Sequence, residues 1–279
     1  MIYLLKYNML IILLNCILFT NIAINDSYAN PHYSIQPIPI HEKKLIDIGI
    51  RSNVQGTVKG IQVGGFFSYS FQTVGIQMSG LEGETKELKG IQISGLGNRA
   101  INAKWFRGSG LNNYSAVFKG FQMAGLRSNS EEATGVILAG MSSDCIQTIG
   151  CQISGILSNS DMIKGFQCSG FSLSKSIYGC QVGGFVSSKC DMKGLQMGLL
   201  TMAGQEIQSK GVQIAGITHA DDFFGVQSGV IINHTRIIRG VQIGLINYCH
   251  DLDGVQLGLI NFVKNNKIPA LPFFRYHFH

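Results

Sequence analysis

Gly60-Ile61-Gln62-Val63-Gly64-Gly65 is the first clear copy of a phrase that recurs along most of the chain: glycine, apolar, glutamine, apolar, small residue, glycine. Copies begin at Gly60, Gly75, Gly90, Trp105, Gly120, Gly135, Gly150, Gly165, Gly179, Gly194, Gly211, Gly225, Gly240 and Gly254. Most steps are 15 residues, with 14 or 17 at a few towards the C-terminal end. Glutamine holds the third position in twelve of the fourteen copies, and Arg107 and Ile137 replace it in the other two. A fixed period of this kind defines a repeat array, in which each unit leans on its neighbours and none buries a core alone.

Within a copy the alternation has period two. In Gly90-Ile91-Gln92-Ile93-Ser94-Gly95-Leu96, Ile91 and Ile93 fall on one face and Gln92 and Ser94 on the other. A helix would need apolar residues three and four apart, and the bracketing glycines would weaken it. The segment therefore reads as a short strand. Turn formers follow it: Asn98, Asn112-Asn113, Ser128-Asn129-Ser130, Ser158-Asn159-Ser160 and Ser187-Ser188. A second apolar position recurs two residues before the next glycine, at Val58, Leu88, Phe118, Ile163, Ile177, Met192, Phe223, Ile238 and Leu252. The expectation is that the aliphatic rows of successive units face a shared interior.

Two all-β architectures fit. In a β-solenoid each 15-residue unit is one coil, and like positions stack at the strand spacing of about 4.8 Å. In an outer-membrane antiparallel β-barrel of about 16 strands, each unit would be a strand and a turn. A barrel wants about 10 alternating residues per strand, unlike turns at its two ends, and aromatic girdles. Here the alternation is crisp only over the repeated phrase, and the glycines stand at the same place in each copy. The tail Pro272-Phe273-Phe274-Arg275-Tyr276-His277-Phe278 alternates aromatics as a last barrel strand would. The β-solenoid is the expected fold, with the barrel as alternative.

The ends of the array are marked by proline. Pro31, Pro37 and Pro39 precede it, Pro269 and Pro272 follow it, and none lies between. A sheet interior cannot spare backbone N–H groups, which drives proline to the margins. Residues 1–29 read as a secretory signal: Lys6 leads, Met9 to Thr20 is a short apolar run, and Ser27-Tyr28-Ala29 offers a cleavage site. Residues 30–58 are a lead-in or cap containing a worn first copy at Leu45-Ile46-Asp47-Ile48-Gly49. The array proper covers 59–262, and 263–279 is a C-terminal tail or cap. With 35 glycines and a charged fraction of 14%, the chain could pass for low complexity, but its regular apolar positions offer a core.

The last copies are the sharpest. Gly240-Val241-Gln242-Ile243-Gly244-Leu245-Ile246-Asn247 and Gly254-Val255-Gln256-Leu257-Gly258-Leu259-Ile260-Asn261 resemble the bacterial, leptospiral-type surface-repeat family of tandem GVQIGL-(F/I)-N units. The tail Pro269-Ala270-Leu271-Pro272-Phe273-Phe274 is similar to the proline-and-aromatic ending of that family. The resemblance is close over residues 211–279 and degenerate over 60–210. It implies export and a surface or envelope location, and it implies no activity and no functional residues.

The most regular polar feature is the glutamine column: Gln62, Gln77, Gln92, Gln122, Gln152, Gln167, Gln181, Gln196, Gln213, Gln227, Gln242 and Gln256. Stacked amides bond from coil to coil and hold register, as Asn and Gln ladders do in cross-β stacks. The functional reading of the same column is a flat binding face, with Ser79, Ser94, Ser154 and Ser169 beside it. A basic column precedes the glycines at Lys59, Lys89, Lys104, Lys119, Lys164, Lys193, Lys210 and Arg239. Its like charges splay into water and discourage edge pairing, or meet a polyanion. Cys151, Cys168 and Cys180 occupy strand apolar positions and are expected as free, buried thiols. His219, His234 and His250 fall in three successive turns near Asp221, Asp222, Asp251 and Asp253, at offsets that suit solvated turns better than a metal.

No paired acids, no nucleophile with a base and no phosphate loop is found, so neither catalytic residues nor a cofactor is expected. The net charge of +6 is compatible with anionic partners. The reading is a non-catalytic exported repeat protein of the bacterial cell envelope or surface, binding or scaffolding through a regular repeat surface. The alternative is an outer-membrane β-barrel protein, with a pore as one form it could take. An envelope polyanion such as lipopolysaccharide, or a host surface molecule, would be the partner. Outer-membrane association fits; nucleic acid does not.

Overall fold

A computed structural model describes residues 43–204 and 208–278, all within one compact unit. The proposed signal and the first part of the lead-in lie outside the described residues. Nine strands follow in order: β1 (Lys43–Ser79), β2 (Glu82–Ser94), β3 (Gly97–Ser109), β4 (Asn112–Ala124), β5 (Arg127–Ala139), β6 (Ser142–Ser154), β7 (Leu157–Ala203), β8 (Ser209–Val263) and β9 (Ala270–His277). β1, β7 and β8 are far longer than one coil, because the chain turns its corners there without leaving extended conformation. They form one sheet in sequence order.

Pairing from β1 through β8 is parallel and in register, with Gly75 opposite Gly90, Gln77 opposite Gln92 and Ser79 opposite Ser94. The same register carries Lys193 onto Lys210 and Gln196 onto Gln213 across the one 17-residue step. The fold is therefore a β-solenoid. A barrel is excluded, because its neighbouring strands would run antiparallel. The aromatic tail, which resembled a closing barrel strand, is β9, and it is the one antiparallel partner: Val255 pairs with Tyr276 and Leu257 with Phe274. It covers an edge of β8 that would otherwise offer unpaired backbone groups.

The glycine that opens each copy sits at a corner where the chain must be left-handed. Its φ lies between 127° and 146° in every glycine copy. At Gly150 an added Cβ would also lie 2.1 Å from the carbonyl oxygen of Gly135 in the coil before. Only glycine meets both conditions without strain. Trp105 breaks the rule with φ at 96°, and its side chain is 73% exposed. A second glycine column is set by close approach alone: a Cβ on Gly140 would lie 1.9 Å from the Gly125 carbonyl oxygen.

Which face points inward corrects the sequence expectation. The buried positions are the glutamine, the small residue two after it, the Ser or Asn of the turn and the apolar residue before the next glycine. The apolar column is fully buried at Val58, Leu88, Phe118, Ile163 and Leu252, as expected. Phe118 stacks between Ala103 and Ala133, large against small. The aliphatic residues flanking each glutamine lie outside: Ile91 and Ile93 are 36% and 40% exposed while Gln92 is buried. Each coil is too narrow for a second aliphatic wall, and the chain turns aim backbone carbonyls into the interior. These need donors, which isoleucine lacks.

Two substitutions test the corner. Gly150→Ala is expected to lower the urea midpoint, with a loss of more than about 2 kcal/mol from backbone strain and clash. Trp105→Gly is expected to raise it, by about 1 kcal/mol net of the flexibility glycine adds to the unfolded chain. Paired urea titrations followed by circular dichroism measure both.

Candidate functional site

All twelve glutamines of the column are buried with no measurable exposure, so they form an internal ladder and present no face to a ligand. In two runs the Nε2 of one glutamine donates to the Oε1 of the glutamine in the preceding coil. Gln77 donates to Gln62 at 3.1 Å and Gln92 to Gln77 at 2.8 Å. A second run starts at Gln181 onto Gln167 at 2.7 Å and continues through Gln196, Gln213, Gln227 and Gln242 to Gln256. The same amide nitrogens also donate to turn carbonyls across the coil, as Gln62 does to Tyr69 at 2.8 Å and Gln152 to Asn159 at 3.2 Å. One side chain thus ties coil to coil and wall to wall.

Between the two runs the ladder fails. Ile137 has no amide to offer. Gln122 and Gln152 turn to local partners: Gln122 donates to Ser128 Oγ at 2.7 Å and Gln152 to Ser143 Oγ at 3.0 Å. Arg107 imitates glutamine, donating from Nε to Gln92 Oε1 at 2.9 Å and from Nη1 to the Tyr114 carbonyl at 3.0 Å. Its Nη2 finds no hydrogen-bond partner. Among the described residues no carboxylate forms an ion pair or hydrogen bond with it. Burial alone pushes its guanidinium down to about 9.

A second ladder sits at the turn of the last coils. Asn233 Nδ2 donates to Asn247 Oδ1 and Asn247 Nδ2 to Asn261 Oδ1, each at 2.7 Å. Each also reaches a carbonyl ten residues on, Ile243 for Asn233 and Leu257 for Asn247, both at 2.8 Å. The asparagine of the GLIN phrase is structural.

Outside the coil, four rings stack in one column: His219 on His234 at 4.9 Å, His234 on Tyr248 at 4.9 Å, and Tyr248 on Phe262 at 5.1 Å, all within 11° of parallel. His219 and His234 face each other through Nδ1 atoms 2.9 Å apart. His250 is not in the stack and meets Tyr248 edge-on. The three histidines thus do not converge, and no metal-ligating cluster occurs among the described residues. The spacing of the four rings (15, 14 and 14 residues) follows the period of the array within one residue per step (14, 15 and 14 between the glycines of the same copies), a signal that a search for aromatics at that period would find.

The cysteines divide. Cys145 and Cys249 are buried, and burial is the main reason both thiols are pushed up to about 12. Cys151, Cys168 and Cys180 are only half-buried, on the outer aliphatic rows and not in the core expected for them, since those rows face outward. All six cysteines of the described residues are free.

The parts of the surface that can meet another molecule are therefore the outer rows. One wall carries the aliphatic residues either side of each glutamine, with Phe106 and Phe121 stacked on it at 5.7 Å. A further row (Leu96, Leu111, Leu126, Met141 and Ile156) continues it around the second glycine column, all exposed. The lysines before the glycine corner are exposed along its border. The remaining wall is polar with mixed charge, where Lys175 pairs with Asp161 at 2.6 Å and Arg236 with Asp221 at 2.6 Å. Beside the leucine row lies a shallow hollow of about 400 Å³, lined by Leu81, Leu96, Leu111, Arg99 and Tyr114. Compared with known proteins, the chain matches no family model, no curated protein and no solved structure.

Arg107 supplies the test of the ladder. Arg107→Gln is expected to stabilise the protein at pH 7 by a few kcal/mol, of order, by removing a buried cation that lacks a counter-charge. The folded-state value is depressed, so above about 9 the unfolded chain holds the proton that the folded chain has lost. Stability therefore rises with pH through that window, and the gap between variant and wild type narrows from pH 9 upward. Urea titrations of both proteins from pH 7 to pH 11 give the comparison.

Proposed function

We propose that the chain is a non-catalytic exported repeat protein of a bacterial envelope, acting through the outer rows of its coils. The observation that carries this reading is the position of the aliphatic rows. A self-contained monomer rarely leaves more than a few hundred Å² of contiguous apolar surface uncovered. Here isoleucine, leucine and methionine recur outside from Ile61 to Leu257 at the period of the array. A row repeated so regularly, with the ladders kept inside, is a surface made for contact. Export is supported by the signal-like residues 1–29, and an envelope location by the resemblance of residues 211–279 to surface repeats. Free thiols fit this reading, because Cys145 and Cys249 are shielded by the coil from oxidation and exchange.

The experiment is expression of the whole chain in a bacterium with a double-membrane envelope, followed by fractionation, N-terminal sequencing and protease treatment of intact cells. The expected result is a chain beginning at Asn30 in the envelope or medium. An uncleaved chain retained in the cytoplasm overturns the proposal.

A further inference from the structure

The apolar wall and its lysine border together point to one occupant, and we infer that this wall docks on the surface of an anionic phospholipid bilayer. The inference deepens the envelope reading and rests on it only for where such a membrane would be met.

Three observations favour lipid. The first is the partition of side chains around the coil. The residue after the glutamine is apolar and exposed at Ile93, Met123, Ile153, Ile214, Ile243 and Leu257, while the pairs Lys175–Asp161 and Arg236–Asp221 stand on other rows. That is the division of an amphipathic interfacial element, whose apolar face sinks roughly 5–10 Å into the headgroup and acyl boundary. Here it is written on a sheet.

The second is the backbone. The wall can face hydrocarbon because its amides are bonded coil to coil: Leu96 N donates to Leu81 O at 2.8 Å and Leu111 N to Leu96 O at 2.9 Å. An open sheet edge in lipid would leave orphaned groups, but a solenoid presents its face and directs its hydrogen bonds along its axis.

The third is charge. Lys89, Lys104, Lys119 and Lys164 are exposed at the corner where the apolar wall begins. Their long stems can lie along apolar surface while the ammonium groups reach the phosphates. Lys193 and Lys210 are held over the rings of Tyr178 and Phe224, at 5.1 and 6.0 Å, in the same column. A protein partner would call for pockets that accept particular anchors. Apart from the shallow hollow at Leu81, Leu96 and Leu111, this wall offers the same small steps repeated, which suits a fluid partner without a fixed shape.

The test uses the whole chain as a bacterial host yields it and vesicles of phosphatidylcholine with and without anionic phosphatidylglycerol. Two variants are compared with wild type by co-sedimentation. Ile153→Asp/Ile214→Asp/Ile243→Asp alters side chains already exposed, so circular dichroism and the urea midpoint should stay near wild type. Its vesicle binding should fall by more than about tenfold. Lys89→Glu/Lys119→Glu/Lys164→Glu should bind neutral vesicles as wild type does and lose affinity for anionic vesicles by roughly fivefold or more per residue changed. Residues 1–42 are common to all three proteins, so the differences report the wall. Wild type that ignores both vesicles, or a triple-aspartate variant that binds like wild type, overturns the inference. So does sedimentation velocity showing a wild-type dimer that the aspartates turn into monomers, since the wall would then belong to a second copy. A chain found in the envelope that fails the vesicle test removes this inference and leaves the envelope reading standing.

Discussion

A coil of about fifteen residues is so thin that its turns aim carbonyl groups at its own axis, where no water reaches them. The rest of the structure follows from meeting that need. Buried carbonyls without donors cost about 1–3 kcal/mol each, so the interior must carry side chains that donate. Glutamine at the third position has the reach to bond a turn carbonyl across the coil and the amide of the coil beneath, as Gln77 does with Glu84 and Gln62. The interior is then half polar by necessity. Apolar packing is left mainly to one column, from Val58 to Leu252, with Ile137 and Val186 added elsewhere and small residues filling much of what remains.

The same demand sets the outer surface. Once glutamine points in, strand alternation sends both of its neighbours out, whatever they are. Isoleucine and valine suit them because β-branched residues fit a pleated surface, even one that is not a core. The chain thus carries its aliphatic rows externally as a consequence of backbone satisfaction. That placement separates the coil into an apolar side and a charged side, a distinction that a conventional core would have erased.

The middle of the array shows what happens when the pattern lapses. Trp105, Arg107 and Ile137 lie within three consecutive copies. The glycine corner is strained at the first, a guanidinium is enclosed at the second, and the amide ladder is cut at the third. The coils persist there because in-register pairing continues through all of them, as Arg107 lies opposite Gln92 and Ile137 opposite Gln122. Stability in such an array is close to a sum of local and neighbour terms, so one poor copy is carried by good ones.

The repeat period, the all-β character, the glycine corners and the buried column before each glycine are legible in the residues, since each rests on local rules of alternation and turn chemistry. The solenoid followed from glycines that recur at one place in every unit. Two things were not legible. Period-two alternation divides Ile91 and Ile93 from Gln92 but is silent on which side is inside. Hydrophobicity votes for isoleucine; the width of the coil and the direction of its turn carbonyls decide for glutamine, and both are properties of the closed chain. The aromatic column of His219, His234, Tyr248 and Phe262 is likewise a product of stacking: residues of unlike type and distant number become neighbours only when one coil is laid on the next.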